Sequence, residues 1–254
     1  MKTDCSEYQP ISISIISHGH GSMVERLVAD LLDCPEIGQV VLTCNVSESL
    51  TFSHDERIIT LDNIVPMGFA ANHNAAFRHC TLPYFCPLNP DIQLPKNPFP
   101  SLLAALQETG ASLVAPLVRN PSGDVEDSMR LFPTIRSLLM KALCLSDCRY
   151  TIEDEQQVFY PEWVAGMFML FRSADFRRLG GFDPRFFLYY EDVDICARAW
   201  KADMKVLAYP SVSVVHDARR ESRRNVCYMY WHLTSMARYL LKYWKRLPSL
   251  PNGR

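Results

Sequence analysis

ISISIISHGHGSMVERLVADLLD, residues 11–33, passes from a β-branched run through a glycine turn into a helical pattern within 23 residues. Residues 11–17 read as a strand, Gly19 permits a sharp turn after it, and apolar residues then recur at helical spacing. The same alternation continues along the chain. VVLTC (40–44), RIITL (57–61), YFCPLN (84–89), SLVAPLV (112–118), MFMLFR (167–172) and KVLAYP (205–210) are the expected further strands. Helices are expected near 22–33, 70–80, 98–109, 173–179, 191–202 and 226–245. Strands alternating with helices predict an α/β domain built on a mostly parallel, mixed sheet. In RRLGGFDPRFF, Gly180 and Gly181 suit a helix C-terminus and Asp183-Pro184 starts a turn. Residues 119–160 are polar, turn-rich and weakly patterned, and read as a mobile insertion over a site.

The 254 residues, 48% hydrophobic and 21% charged, suit a folded chain with a full core. The first residues, MKTDCSEYQP, lack the basic and apolar regions of a signal peptide, and no apolar run is long enough to span a bilayer, so a cytoplasmic location is expected. Nine cysteines without a C-x-x-C pair indicate reduced thiols rather than a disulfide framework or zinc knuckle. Charge is unevenly placed. Residues 1–216 carry 17 Lys and Arg against 26 Asp and Glu, whereas 217–254 carry nine against two. The sequence therefore divides into a 1–216 domain and a basic amphipathic helical segment, 217–254, that can rest on an anionic membrane, hold a phosphate group, or simply dock on the core.

Ligands in open α/β sheets collect beyond the C-terminal ends of strands. The groups expected there are Ser17-His18-Gly19, Cys44-Asn45, Asp62-Asn63, Asn89-Pro90-Asp91 and His216-Asp217. Neither G-x-G-x-x-G nor G-x-x-x-x-G-K-[ST] occurs, which argues against a dinucleotide dehydrogenase and a P-loop NTPase. In LNPD (88–91), Asn89 and Asp91 are two residues apart and can address one cation from an extended chain, although N-P-D alone is also a common turn. YYEDVDICAR (189–198) sets three acids directly behind the apolar run RFFLYY. Clustered carboxylates persist where a cation, an arginine or a proton-transfer task compensates them. A solvated acidic helix start is the plainer alternative. A third reading, with Asp192 and Asp194 as the metal site, suffers because i and i+2 positions of a helix splay apart.

SHGHG, GFAANHNAAF, LNPDI, WVAGMFMLFRSADFRRLGGFDPRFFLYYEDVDICAR and MYWHLTSMARYL together resemble the family 2 glycosyltransferases, inverting enzymes of the GT-A fold. Within that family the chain is most similar to bacterial rhamnosyltransferases of O-antigen and cell-wall-linker synthesis. The resemblance implies a nucleotide-sugar donor, dTDP-L-rhamnose, and a polyprenyl-diphosphate-linked saccharide acceptor such as GlcNAc. It also implies Mg²⁺ or Mn²⁺, work at the cytoplasmic face of the inner membrane, and no nucleic-acid partner. Asp91 stands where the family's D-x-D ends and would hold the ion, with Asn89 as a weaker ligand and His216 as a third. Asp192 matches the catalytic base. Its neighbour Glu191 and Asp194 would shape the acceptor pocket, with Arg198 neutralising Asp194. Trp163 and Gly166 resemble the acceptor-side wall, and Gly68, Asn72 and Asn74 the segment lining the donor nucleotide. Many relatives place a base-reading aspartate after the second strand. Here Cys44 and Asn45 stand there, so base recognition is expected from Asn45, Asp62 or Asn63 and the chain around Ser17 and His18. Another nucleotide sugar, such as a UDP-hexose, or a non-catalytic nucleotide-sugar-binding subunit, are the alternatives.

Overall fold

The computed structural model describes residues 10–143, 150, 158–217 and 226–248. Its first strand shows why an Ile/Ser alternation folds here. Ile11, Ile13 and Ile15 enter one core layer, while Ser12 and Ser14 face the other and are also fully buried. The hydroxyl of Ser12 donates to Gln39 Oε1 at 2.7 Å, and that of Ser14 lies 2.8 Å from His73 Nδ1, so neither buried serine lacks a partner. The alternation marks a central strand covered on both faces, with the serine side small enough to admit a helix.

From this strand, β1 (Ile11–Ser17), the chain continues through α1 (Ser22–Leu32), β2 (Ile37–Cys44), β3 (Ile58–Asp62), α2 (Phe69–Phe77), β4 (Tyr84–Leu88), β5 (Ile92–Gln93) and α3 (Phe99–Thr109). The second half comprises β6 (Leu113–Arg119), β7 (Met129–Arg130), α4 (Ile135–Ala142), β8 (Trp163–Val164), β9 (Leu170–Arg172), α5 (Ser173–Arg178), α6 (Glu191–Lys201), β10 (Val206–His216) and α7 (Val226–Lys242). The main sheet runs β3-β2-β1-β4-β9-β6-β10-β5 and a small second sheet pairs β7 with β8. β3, β2, β1 and β4 are mutually parallel, as are β6 and β10; β9 and β5 are antiparallel to their neighbours. One core layer, with Val24, Leu27, Leu31, Phe99, Leu102 and Leu106, packs α1 and α3 on the sheet; the other, with Ala76, Phe176, Phe182, Val193 and Cys196, packs α2, α5 and α6.

Three expectations change in detail. MFMLFR is strand only over Leu170–Arg172, antiparallel between β4 and β6. KVLAYP continues to His216 after a register shift between Tyr209 and Ser213, because Pro210 has no N–H to give the ladder. The span 119–160 holds β7 and α4, while 144–149 and 151–157 fall outside the described residues.

One buried charge ties the last helix to this frame. Asp194 is wholly buried. Its carboxylate accepts from Arg198 Nε at 2.8 Å and Tyr243 OH at 2.9 Å and pairs with Lys242 Nζ at 2.6 Å. Arg198 also donates to the carbonyls of Leu179 and Gly181, and Lys242 reaches Asp183 at 2.8 Å. Such a carboxylate is tolerable in the core only while these partners remain. Asp194→Asn, which keeps the shape and removes the charge, is expected to lower unfolding free energy by about 3 kcal/mol, read as a fall in urea midpoint at unchanged slope.

Candidate active site in two adjoining cavities

Beyond the C-terminal ends of β1 and β4 lies a cavity of about 540 Å³. Its lining includes His18, His20, Asn45, Gly68, Asn72, Asn89 and Asp91, together with Phe187, Tyr228 and Trp231. The amides expected to read the base, Asn45 and Asn63, and Asn72, expected to line the donor nucleotide, are engaged with one another. Asn45 Oδ1 accepts from Asn63 Nδ2 at 2.8 Å, Asn72 Nδ2 at 3.1 Å and the Met67 N–H at 2.8 Å. Asn63 also donates to Asn72 Oδ1, while Asn45 and Asn72 donate to the Met67 carbonyl. These three side chains therefore fix the 63–68 loop instead of facing a ligand with free NH₂ groups. Ser17 is buried, His18 is exposed at the rim, and Asp62 is exposed at the end of β3.

Asn74 departs further from its expected role. Its amide exchanges two hydrogen bonds with the backbone of Phe182, at 2.8 and 2.9 Å, so it braces the GGFDP turn and does not line the cavity. Gly68 has a steric function. A Cβ there would stand 2.3 Å from the Phe187 carbonyl oxygen, and the next N–H, of Phe69, donates to that oxygen at 2.9 Å. Glycine thus lets the 187 segment close against α2.

At the floor, Asp91 Oδ2 lies 3.3 Å from His216 Nε2, and Glu126 Oε2 lies 2.7 Å from His216 Nδ1. Burial opposes charge on this imidazole, but the two carboxylates outweigh it and raise its pKa to about 9. Asp91 Oδ1 is buried without a protein hydrogen-bond partner. Two carboxylates and an orphaned oxygen favour a cation beside this edge of the cavity. Glu126 was not visible in the sequence: it lies in the weakly patterned 119–160 span and becomes notable only when folding sets it beside His216.

A second cavity, about 420 Å³, is lined by Arg130, Trp163, Tyr189, Tyr190, Glu191, Asp192 and His232, with Ser137 and Leu138 of α4. Tyr189 and Tyr190 have φ of 69° and 67°, left-handed values that cost about 1–3 kcal/mol each for residues other than glycine. This paired kink starts α6 and turns Asp192 toward Gly166, whose N–H donates to Asp192 Oδ2 at 2.9 Å; the Val193 N–H donates to Oδ1 at 2.8 Å. Burial nonetheless holds the Asp192 carboxyl above the ordinary range, against the pull of those amides. Glu191 is pushed up much further by its own burial and by Asp192, and its Oε2 has no partner. Of the two carboxyls, Glu191 is thereby the more readily protonated and Asp192 the more readily ionised. Trp163 is anchored through Nε1 to the Leu131 carbonyl, and the Arg130 guanidinium lies 5.7 Å from its ring centroid.

Asp194 and Arg198 do not reach this cavity: they belong to the buried latch that holds α7. Nor does Asp91 share a cavity with Asp192. The segment Phe187–Tyr190 separates them, its first two residues lining the larger cavity and its last two the smaller. The two sides are nevertheless one short link apart. The Asn89 N–H donates to the Met167 carbonyl at 2.9 Å, and the adjacent Gly166 N–H holds Asp192. α7 contributes to both cavities, through Tyr228 and Trp231 on one side and His232 on the other.

Comparison with known proteins agrees with this architecture. The chain is 28% identical over 255 residues to the rhamnosyltransferase WbbL of Escherichia coli, covering 95% of this chain and 96% of that protein. It is 32% identical over 146 residues to the N-acetylglucosaminyl-diphospho-decaprenol L-rhamnosyltransferase of Mycobacterium tuberculosis, covering 54% of this chain and 48% of that one. Among solved structures, GalNAc-T7 with UDP, GalNAc and Mn²⁺ superposes with a TM-score of 0.64 at 18% identity, over 83% of this chain and 43% of that chain. The mannosyltransferase PcManGT of Pyrobaculum calidifontis, in complex with GDP-Man and Mn²⁺, gives 0.56 at 14% identity, over 90% and 64%. The fold is thus the GT-A α/β fold. The model of an N-terminal domain of galactosyltransferase matches residues 151–220. The model described as glycosyl transferase family 2 matches residues 45–176, just over half of the chain, and the protein belongs to that family.

Proposed function

We propose that this glycosyltransferase transfers L-rhamnose from dTDP-L-rhamnose, with inversion, to a polyprenyl-diphosphate-linked sugar such as GlcNAc. The setting would be O-antigen or cell-wall polysaccharide synthesis at the cytoplasmic face of the inner membrane. The end-to-end similarity to a rhamnosyltransferase carries the choice of sugar. The mycobacterial relative, named for its diphospho-decaprenol acceptor, supports a lipid-linked acceptor. The donor would occupy the larger cavity and the acceptor the smaller, with Trp163 and the two strained tyrosines as the wall on which a sugar ring stacks.

The residues present fit a divalent ion, Mg²⁺ or Mn²⁺. Asp91 offers a buried oxygen without a partner, and Glu126 holding His216 Nδ1–H leaves the other ring nitrogen beside Asp91, where an incoming ion would displace its proton. Among the described residues no group of three or more His, Cys, Asp or Glu is arranged to hold an ion. Asp91 and His216, helped by the Asn89 amide, would therefore supply part of a shell that donor phosphates complete. When bound, the ion would neutralise charge gathering on the leaving diphosphate.

Asp192 would take the proton of the acceptor hydroxyl as that oxygen attacks the anomeric carbon. The hydrogen bonds from Gly166 and Val193 fix the carboxylate's direction, and its raised pKa brings it nearer to the task. The saturated Asn45, Asn63 and Asn72 leave base selection to backbone groups and cavity shape, so a panel of dTDP- and UDP-sugars is the direct test of donor identity.

Three outcomes are expected. Asp192→Asn lowers kcat by roughly 10²- to 10⁴-fold while donor binding, followed by calorimetry, is kept; full activity in this variant would exclude Asp192 as the base. Asp91→Ala weakens ion and donor binding together, and Glu126→Gln weakens ion affinity by roughly tenfold, both measured by titration with Mn²⁺. Because the Asp192 pKa is raised, the acidic limb of the kcat profile should fall at a pH above the ordinary aspartate range, and activity should be lost as pH drops through it.

A further inference from the structure

α7 is apolar on two opposite sides. Ser235, Tyr239 and Tyr243 face the core, yet Val226, Tyr230, Leu233 and Leu241 form a second stripe at helical spacing, continued by Trp244. These side chains are 51–79% exposed, along about 25 Å of helix at 1.5 Å per residue. α4 also exposes apolar side chains: Ile135 is 43% and Leu139 59% exposed. The two helices share one side of the molecule, since Ile135 and Trp244 line a common groove, with Tyr239, Leu240 and Leu247, of about 420 Å³. That groove meets the acceptor cavity at Pro133, which lines both. Trp244 is where the stripe on α7 meets that groove, and monomeric proteins rarely leave large apolar surface without a partner.

We propose that α4 and α7 form a docking face for an anionic lipid bilayer, so that the acceptor cavity between them opens at the headgroup level. The inference rests on the lipid-linked acceptor proposed above and names the surface that meets the membrane carrying it. Charge selects the bilayer over a second copy of the chain. Arg238 and Lys245 run along the flank of the apolar stripe and are exposed, in a segment with nine Lys and Arg against two Asp and Glu. Pairing two such faces would bring like charges together, whereas anionic lipid attracts the segment and repels the acidic remainder of the protein. Among the described residues no helix is long and apolar enough to cross a membrane, so the contact would lie in the interface plane.

The test is vesicle flotation of the full chain. It uses phosphatidylethanolamine/phosphatidylglycerol vesicles, phosphatidylcholine vesicles, and the triple variant Leu139→Gln, Leu233→Gln, Leu241→Gln, none of which lines the two cavities of the candidate site or the groove. The wild type should float with the anionic vesicles, and the variant should lose binding by roughly tenfold or more with unchanged melting temperature and nucleotide-sugar affinity. A wild type that stays in solution, a variant that floats equally well, or a wild-type dimer that the variant dissolves would each overturn the proposal. Transfer to a short-chain, water-soluble acceptor separates the two readings: both proteins should perform it, and its absence in the wild type would count against the function, not against the docking face.

Discussion

A carboxylate with no access to water must be surrounded by compensating donors, and Asp194 imposes that condition on a large part of the molecule. Its partners come from different places: Arg198 from the next turn of α6, Lys242 and Tyr243 from the end of α7. Satisfying one buried charge therefore fixes where the last helix lies. Arg198 extends the constraint to the Gly180-Gly181 turn, where positive φ values of 75° and 73° suit glycine, and Asn74 grips the following residue from the other side. Glycosyl transfer needs two ligands held at a set distance. In this protein the spacing of the two cavities depends on a hub that lines neither of them.

Between the cavities stands the segment Phe187–Tyr190, and its position follows from the same hub. Ser235 Oγ of α7 donates to the Leu188 carbonyl, Trp231 stacks on Phe187 at 4.7 Å, and His232 lies against Tyr189 and Tyr190. On the opposite side the segment is pressed against the bare backbone of Gly68. Two consecutive tyrosines in the left-handed region would relax without such confinement. Over-determination of this kind is how a fold retains local strain where chemistry requires a particular direction.

Much of this was legible in the sequence, for identifiable reasons. Long strands and helices announce themselves through periodicity, so β1, β4, α1, α6 and α7 lie close to where the pattern puts them. NPD, EDVD and the strand-terminal His216 stood out because their charges follow directly on apolar runs. The two-residue strands β5, β7 and β8 are too short to carry any period. Glu126 and Arg130 lie in a span whose composition resembles any turn. The roles of Asn45, Asn63, Asn72 and Asn74 could not be read at all, because an amide facing a ligand and one facing another amide look identical in one dimension. Asp194 misled for a related reason: two acids two residues apart on a helix start share a sequence neighbourhood, but one turns to a cavity and the other to the core.

A partition with a cavity on each side has a thermodynamic consequence. If an occupant of the larger cavity shifts Phe187 and so changes affinity in the smaller one through Tyr189 and Tyr190, an occupant of the smaller cavity changes affinity in the larger by the same factor, since coupling between two equilibria is reciprocal. Such a linkage would make the affinity for one partner depend on the presence of the other. It would need no moving domain, only a few rings packed against one another.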